Sequence, residues 1–243
     1  MNRLFLMFVV LHAWSGGLAA GDSGGRIELP ARVSLPRTTV PEPPALPAAA
    51  SALSPMTFEL VSTSQTPEGP RAKTIQTVLR TADRVLLVPE VGGSEWLFQR
   101  NPVDSRRVSG YLVDHARRQV LVHHDSDLRN RMRLHGWADV LTMRFDPQSL
   151  AALHATGERE TAGGETFDHY VARDQSAQGV SDVWWSDTLL LPLRLTVRAA
   201  DAATTWTIER FEPGVDAERL DDPRKRFPQY TVLDISDSLE RGH

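Results

Sequence analysis

The sequence predicts a mainly β chain of the α+β class, built on one antiparallel sheet with one or two short helices. Three observations predict it. Apolar residues alternate with polar ones through most of the body, most clearly at Leu189, Leu191, Leu193, Leu195 and Val197, with Pro192, Arg194, Thr196 and Arg198 pointing the other way. That is the pattern of a strand with one buried and one wet face. Short polar or glycine-bearing clusters separate the alternating runs, as hairpin turns do, and favour antiparallel meanders over parallel crossovers. Helix signals occupy only two short stretches.

The first residues are a separate matter. Met1-Asn2-Arg3 supplies one positive charge, Leu4 to Leu11 is an apolar run, and small residues follow up to Ala19-Ala20. These are the parts of a secretory signal, so residues 1–20 read as a signal peptide cleaved after Ala19 or Ala20. The run is shorter than the roughly 20 apolar residues that a membrane anchor needs. An exported protein of this kind is expected in a periplasm. The chain has no cysteine, which excludes disulfides, thiolate metal sites and a lipid-modified amino-terminal cysteine. Stability must then come from burial alone.

Residues 21–55 are rich in Pro, Ala, Gly and Ser, as in Pro41-Glu42-Pro43-Pro44. Such a segment has little apolar surface to bury and reads as a tether, with a proline-rich docking peptide as the alternative. From Met56 the texture changes, and residues 56–236 read as a single β domain followed by a C-terminal tail, 237–243. In it Phe58 and Leu60 share a face, as do Ile75, Thr77 and Leu79, then Val85 and Leu87, then Trp96 and Phe98. The clearest hairpin joins Val108–Asp114 to Gln119–His123 through a charged turn. One helix is expected from Asp127 to His135, ended by Gly136, and a second from Asp146 to His154, with Asp146 as cap and Pro147 at its first position. Later strands run through Phe167, His169 and Val171, through Val183–Ser186, from Leu189 to Val197, through Trp206–Ile208 and through Tyr230–Leu233. The total is roughly eight to eleven strands without internal repeat.

Several chemical functions are set aside on the residues. Net charge is −4, and −5 once Arg3 is removed, with arginines spread among carboxylates, so no basic stripe for nucleic acid exists. Gly21-Asp22-Ser23-Gly24-Gly25 spells a serine-protease nucleophile motif, but the only histidine before it is His12 in the signal peptide, and the chemistry needs an oriented base. His115, His123 and His124 are the candidate metal ligands. Neighbouring strand residues face opposite ways, however, so strand-end histidines on the surface are the simpler account. His154 and His169 are isolated in sequence. Neither a phosphate loop, a nucleophile elbow nor a metalloprotease helix motif is present. No enzyme activity, cofactor or metal is expected.

The run Trp96-Leu97-Phe98-Gln99-Arg100, the strand Gly110-Tyr111-Leu112-Val113-Asp114, the stretch Ala155 to Gly164 and the pair Asp182-Val183-Trp184-Trp185-Ser186 and Leu191-Pro192-Leu193-Arg194 together resemble the periplasmic lipoprotein-carrier superfamily. This is the LolA-like fold, which includes sensor relatives such as RseB. The resemblance covers about Met56 to Phe211 as order and texture. It implies a curved antiparallel sheet, an open half-barrel, with the short helices on its concave face and an apolar cavity between them. The sequence lacks the helix usual near the front of that family, and its tether is longer than a plain carrier needs. The residues expected to line an apolar cavity are Phe58, Leu60, Trp96, Phe98 and Tyr111 from the first strands. Trp184, Trp185, Leu191, Leu193 and Leu195 complete the set. Two functions follow as expectations. One is a non-catalytic periplasmic carrier or sensor holding a lipid or a lipoprotein acyl chain. The other is an assembly subunit with a filled core that engages a protein partner through its tether or a sheet edge.

Overall fold

The computed structural model describes residues 53–66, 69–174, 178–200 and 202–235. The expected signal peptide, nearly all of the tether and the C-terminal tail lie outside the described residues. Among the described residues twelve strands follow one another: β1 (Met56–Thr66), β2 (Gly69–Arg80), β3 (Arg84–Pro89), β4 (Ser94–Arg100), β5 (Val108–Asp114), β6 (Gln119–His123), β7 (Leu153–Ala162), β8 (Glu165–Ala172), β9 (Gly179–Ser186), β10 (Leu191–Arg198), β11 (Ala203–Pro213) and β12 (Thr231–Asp234). They form one sheet in the order β12-β6-β5-β4-β3-β2-β1-β11-β10-β9-β8-β7. The two ends do not pair, so the curved sheet stays open.

Every pairing is antiparallel except β12, which lies parallel to β6. The expected hairpin β5–β6 has the bounds read from the sequence, closed by Arg118 at φ 55°. Bend is introduced where the register slips, between Thr57 and Glu59 opposite β11, around Pro192 on β10, and between Ala155 and Arg159 on β7. An extra residue on one strand of a pair bends that strand and increases its twist. Gly157, at φ 81°, supplies the left-handed backbone inside the β7 slip.

Helices follow local capping more than the sequence pattern suggested. Helix α1 (Asp125–Met132) starts earlier than expected because Asp127 Oδ2 accepts from the His124 amide at 3.1 Å, a capping box. It ends at Arg133 in the left-handed region, before Gly136. Helix α2 (Trp137–Leu141) was not expected. The second expected helix is a 3₁₀ turn, Pro147–Ala152, capped by Asp146 accepting from the Gln148 amide at 3.0 Å. None of its residues is buried, and a short segment without an apolar stripe to bury gains nothing from lengthening into an α-helix.

Cross-strand partners share a face, which sorts the sheet into two sides. On one, Met56, Arg80, Val85, Phe98, Gly110 and His123 form a continuous row from β1 to β6. The next row holds Phe58, Val78, Leu87, Trp96, Leu112 and Leu121. Helix α1 lies over this side. A Cβ at Gly110 would sit 3.1 Å from Leu128 Cδ2, so the missing side chain is what admits the helix. On the other side Leu79, Leu86, Leu97, Tyr111, Val120 and Val122 pack with Leu220, and Val88, Val215 and Tyr230 border them.

That second cluster corrects the expectation that one sheet face is wet. It holds for β10, where Arg194 and Thr196 are half-buried and Arg198 is exposed. From β2 to β6 both faces are covered, because the chain after β11 returns across the sheet as a strap, residues 214–235. It carries a 3₁₀ turn (Glu218–Leu220), helix α3 (Pro223–Arg226) and β12. Arg84 donates to the Leu220 carbonyl at 2.9 Å, and Arg226 pairs with Glu95 at 3.0 Å. The strap thus continues the fold beyond the part resembling the carrier superfamily.

If the strap seals that face, Leu220→Ala should destabilise the protein by about 2–5 kcal/mol, the usual cost of emptying a buried leucine site. Val103→Ala, at a side chain 95% exposed, should leave the urea midpoint unchanged.

Candidate ligand-binding face

The helix-covered side is the candidate site, and its floor is aromatic. Trp96 and Phe98, two residues apart on β4, stack with ring centroids 5.4 Å apart and planes 6° off parallel. Trp96 also meets the His123 ring at 5.1 Å. Across the sheet, Trp185 on β9 packs on Phe145 at 5.0 Å and ties its indole N–H to Asp187 at 2.7 Å. The cover is made by Leu128 and Leu134 from the α1 region, by Trp137 and Leu141 of α2, and by Phe145, all at most 1% exposed.

Three polar side chains enter this apolar layer: Arg80, His123 and Gln76. Arg80 closes β2 in phase with Gln76 and Val78, so alternation sends its guanidinium inward, where it is fully buried. It donates to the Leu141 carbonyl at 3.0 Å and to the Leu189 carbonyl at 2.6 Å, with Met56 Sδ at 3.6 Å. One cation therefore joins the sheet, helix α2 and the β9–β10 turn. Burial lowers its pKa to about 10, so it stays charged at neutral pH. Its Nε has no hydrogen-bond partner. A second tie is the Trp137 indole N–H donating to the Ala82 carbonyl at 3.0 Å.

His123 is the second. It is 8% exposed, and neither ring nitrogen has a hydrogen-bond partner. Burial pushes its pKa down to about 4, against the pull of Asp127, so the ring is neutral at ordinary pH. Gln76 Oε1 is likewise buried without a partner. Each such atom costs about 1–3 kcal/mol while the cover stays shut.

The expected lining residues do not all meet. Phe58, Leu60, Trp96, Phe98, Trp185 and Leu195 share the helix-covered side by register. Leu191 and Leu193 flank the slip at Pro192 and are buried. Tyr111 faces the strap, in the cluster with Leu220. Trp184 pairs across β10 with Arg194 and is half-buried, on the opposite side from Trp185. A one-residue step along a strand reverses the face, so adjacent Trp184 and Trp185 could never have lined one cavity together.

The metal candidates separate as well. His115 lies between Glu95 and Tyr230, each at 3.1 Å, beside the strap. His123 points under α1, and His124 pairs with Asp234 at 2.8 Å. Among the described residues no group of three or more His, Asp or Glu side chains is placed to hold a metal ion. Sequence reasoning missed Arg80, Gln76 and the packing of Trp137 and Phe145. For Arg80 and Gln76 the signal was present, since both fall on the inward phase of β2.

Two outcomes check this geometry. Arg80→Met keeps the stem and removes the three-way tie, so amide protection over 137–145 should fall about tenfold or more, equivalent to about 1.4 kcal/mol of local opening. Hydrogen exchange reads it directly. For His123 the folded pKa lies below the unfolded value, so its contribution is full above about pH 6.5 and is lost as pH falls towards 4. Across that window the wild type should lose roughly 3 kcal/mol that His123→Phe does not lose, measured by urea unfolding at each pH.

No helix among the described residues is long and apolar enough to cross a membrane. No protein-family profile matches the sequence, and no curated protein matches it. Similar solved structures include a DUF1329 family protein from Desulfovibrio piger, at 11% identity over 72% of this chain and 92% of that one, with a TM-score of 0.38. They also include an outer membrane lipoprotein-sorting protein domain from Vibrio parahaemolyticus, at 10% identity over 69% and 89%, TM-score 0.36. A LolA superfamily protein from Nitrosomonas europaea is similar at 9% identity over 72% and 95%, TM-score 0.23.

Proposed function

We propose that this protein is a non-catalytic exported carrier or sensor, working in a periplasm, that receives a lipid or a lipoprotein acyl chain against the helix-covered side of its sheet. The observation that carries the reading is the mismatch between floor and cover. An aromatic floor of Trp96 and Phe98 is roofed by short helical segments, while Gln76, Arg80 and His123 keep polar atoms unpaired beneath them. The unpaired atoms lower the cost of lifting the roof, and an acyl chain laid on the exposed aromatic floor regains about 0.8 kcal/mol per methylene buried. Phe58, Leu60, Phe98, Trp96, Trp185 and Leu195 would contact such a guest, with Leu191 and Leu193 at its border.

A second reading is an assembly subunit with a filled core. The strap across the second face favours it, as do the exposed Val232 and Leu233 on edge strand β12. The two separate on one preparation. Native mass spectrometry of protein purified from its host should find a co-purified lipid, and an apolar fluorescent dye should bind and be displaced by fatty acid. Protein lacking residues 21–55 should bind equally well. Lipid-free protein that ignores the dye would overturn the carrier, and a protein partner lost with residues 21–55 would support the assembly subunit.

A further inference from the structure

The free edge of the sheet opposite β12 is the hairpin β7–β8, and an ionic cluster sits at its seam with β9. His169 on β8 places Nδ1 2.8 Å from Glu158 Oε2 on β7 and Nε2 2.9 Å from Asp182 Oδ2 on β9. Its ring lies flat on the indole of Trp184, centroids 4.2 Å apart and planes 6° off parallel. The side chain is 12% exposed. Thr156 on β7 also approaches Nδ1, at 3.1 Å, and Arg194 on β10 lies across from Trp184. A neutral imidazole carries one N–H, whereas two carboxylates on opposite nitrogens need two donors. The geometry is that of an imidazolium, stacked as a cation on a tryptophan face.

The hairpin pairs with β9 from Asp168 to Val171. The Arg159–Asp168 pair is internal to it. At its far end Gly163 abuts the Phe211 ring, and Phe167, fully buried, lies 6.0 Å from that ring, which in turn reaches Phe58 at 6.0 Å. The hairpin therefore closes over an aromatic chain that leads to the core.

We infer that His169 is a pH-sensitive clasp that fastens the β7–β8 edge hairpin to β9, and that its deprotonation frees the hairpin and uncovers Phe167 and Phe211. When the ring loses a proton, one nitrogen turns a lone pair towards a carboxylate, and attraction becomes repulsion. Burial alone would lower the histidine's pKa, but Asp182 and Glu158 outweigh it and hold the value above the usual one. The sign follows: fastening is complete below the unfolded histidine's pKa and is lost as pH rises through the folded one. The inference does not depend on which guest the opposite face receives.

The test follows hydrogen-exchange protection factors of the intact chain across pH while the His169 ring is titrated by ¹⁵N NMR. Protection over 153–172 should drop in one sigmoidal step as pH rises. That drop should share its midpoint with the ring, above that of free histidine, while β4 and β5 stay flat. His169→Gln should abolish the step, and Asp182→Asn should move it to lower pH. A flat hairpin, a step that persists in His169→Gln, or a ring titrating below free histidine would overturn the clasp. Should either variant fail to fold, a mismatch of the two wild-type midpoints would overturn it alone, and their coincidence supports it.

Discussion

A guanidinium withdrawn from water needs acceptors for its donors, and Arg80 meets that need by reaching two backbone carbonyls that belong to different elements. Those carbonyls, from Leu141 at the end of α2 and Leu189 in the β9–β10 turn, are themselves buried groups that need a donor. The cation and the two carbonyls therefore fix one another. A short helix of five residues, too small to persist alone, is held in place by this tie and by the Trp137 indole. The position of Phe145 over Trp185 follows, because the chain leaves α2 only a few residues earlier.

The tie has an energetic cost. Removing a buried charge from water is expensive, and carbonyl dipoles offset that cost less completely than a carboxylate would. Arg80 therefore holds three elements together at a cost that an apolar residue would not carry. His123 adds to it from the other end of the same row, with two ring nitrogens that neither the protein nor a shut cover satisfies. The other face carries the strap. There aliphatic side chains meet Leu220 and Tyr230, and the charged groups pair, as Arg226 does with Glu95. Both sides keep buried polar atoms without hydrogen-bond partners, Arg84 Nε and Arg226 Nη1 beside the strap as well as Arg80 Nε and the His123 ring under the helices.

Alternation made much of the sheet legible. Phe58 with Leu60, Val85 with Leu87, and Trp96 with Phe98 each lie together as expected, and the β5–β6 hairpin matches residue for residue. Those elements are local, set by period two and by a short turn. Trp184 and Tyr111 were grouped with the lining because they are large and aromatic, although parity along their strands sends them to the opposite side. Arg80 was passed over for the converse reason, since an arginine at a strand end reads as surface unless its phase is followed.

By itself the sequence determined the class of fold, the strand phases, the absence of thiol chemistry and the hairpin turns, because each rests on interactions between residues close along the chain. Only the tertiary structure decided which face each phase meets, that residues 214–235 return to cover the second face, and that His169, alone in the sequence, stands between Glu158 and Asp182. Strand order and register come from pairings many residues apart, and no local preference encodes which distant carboxylate or carbonyl a buried cation will find.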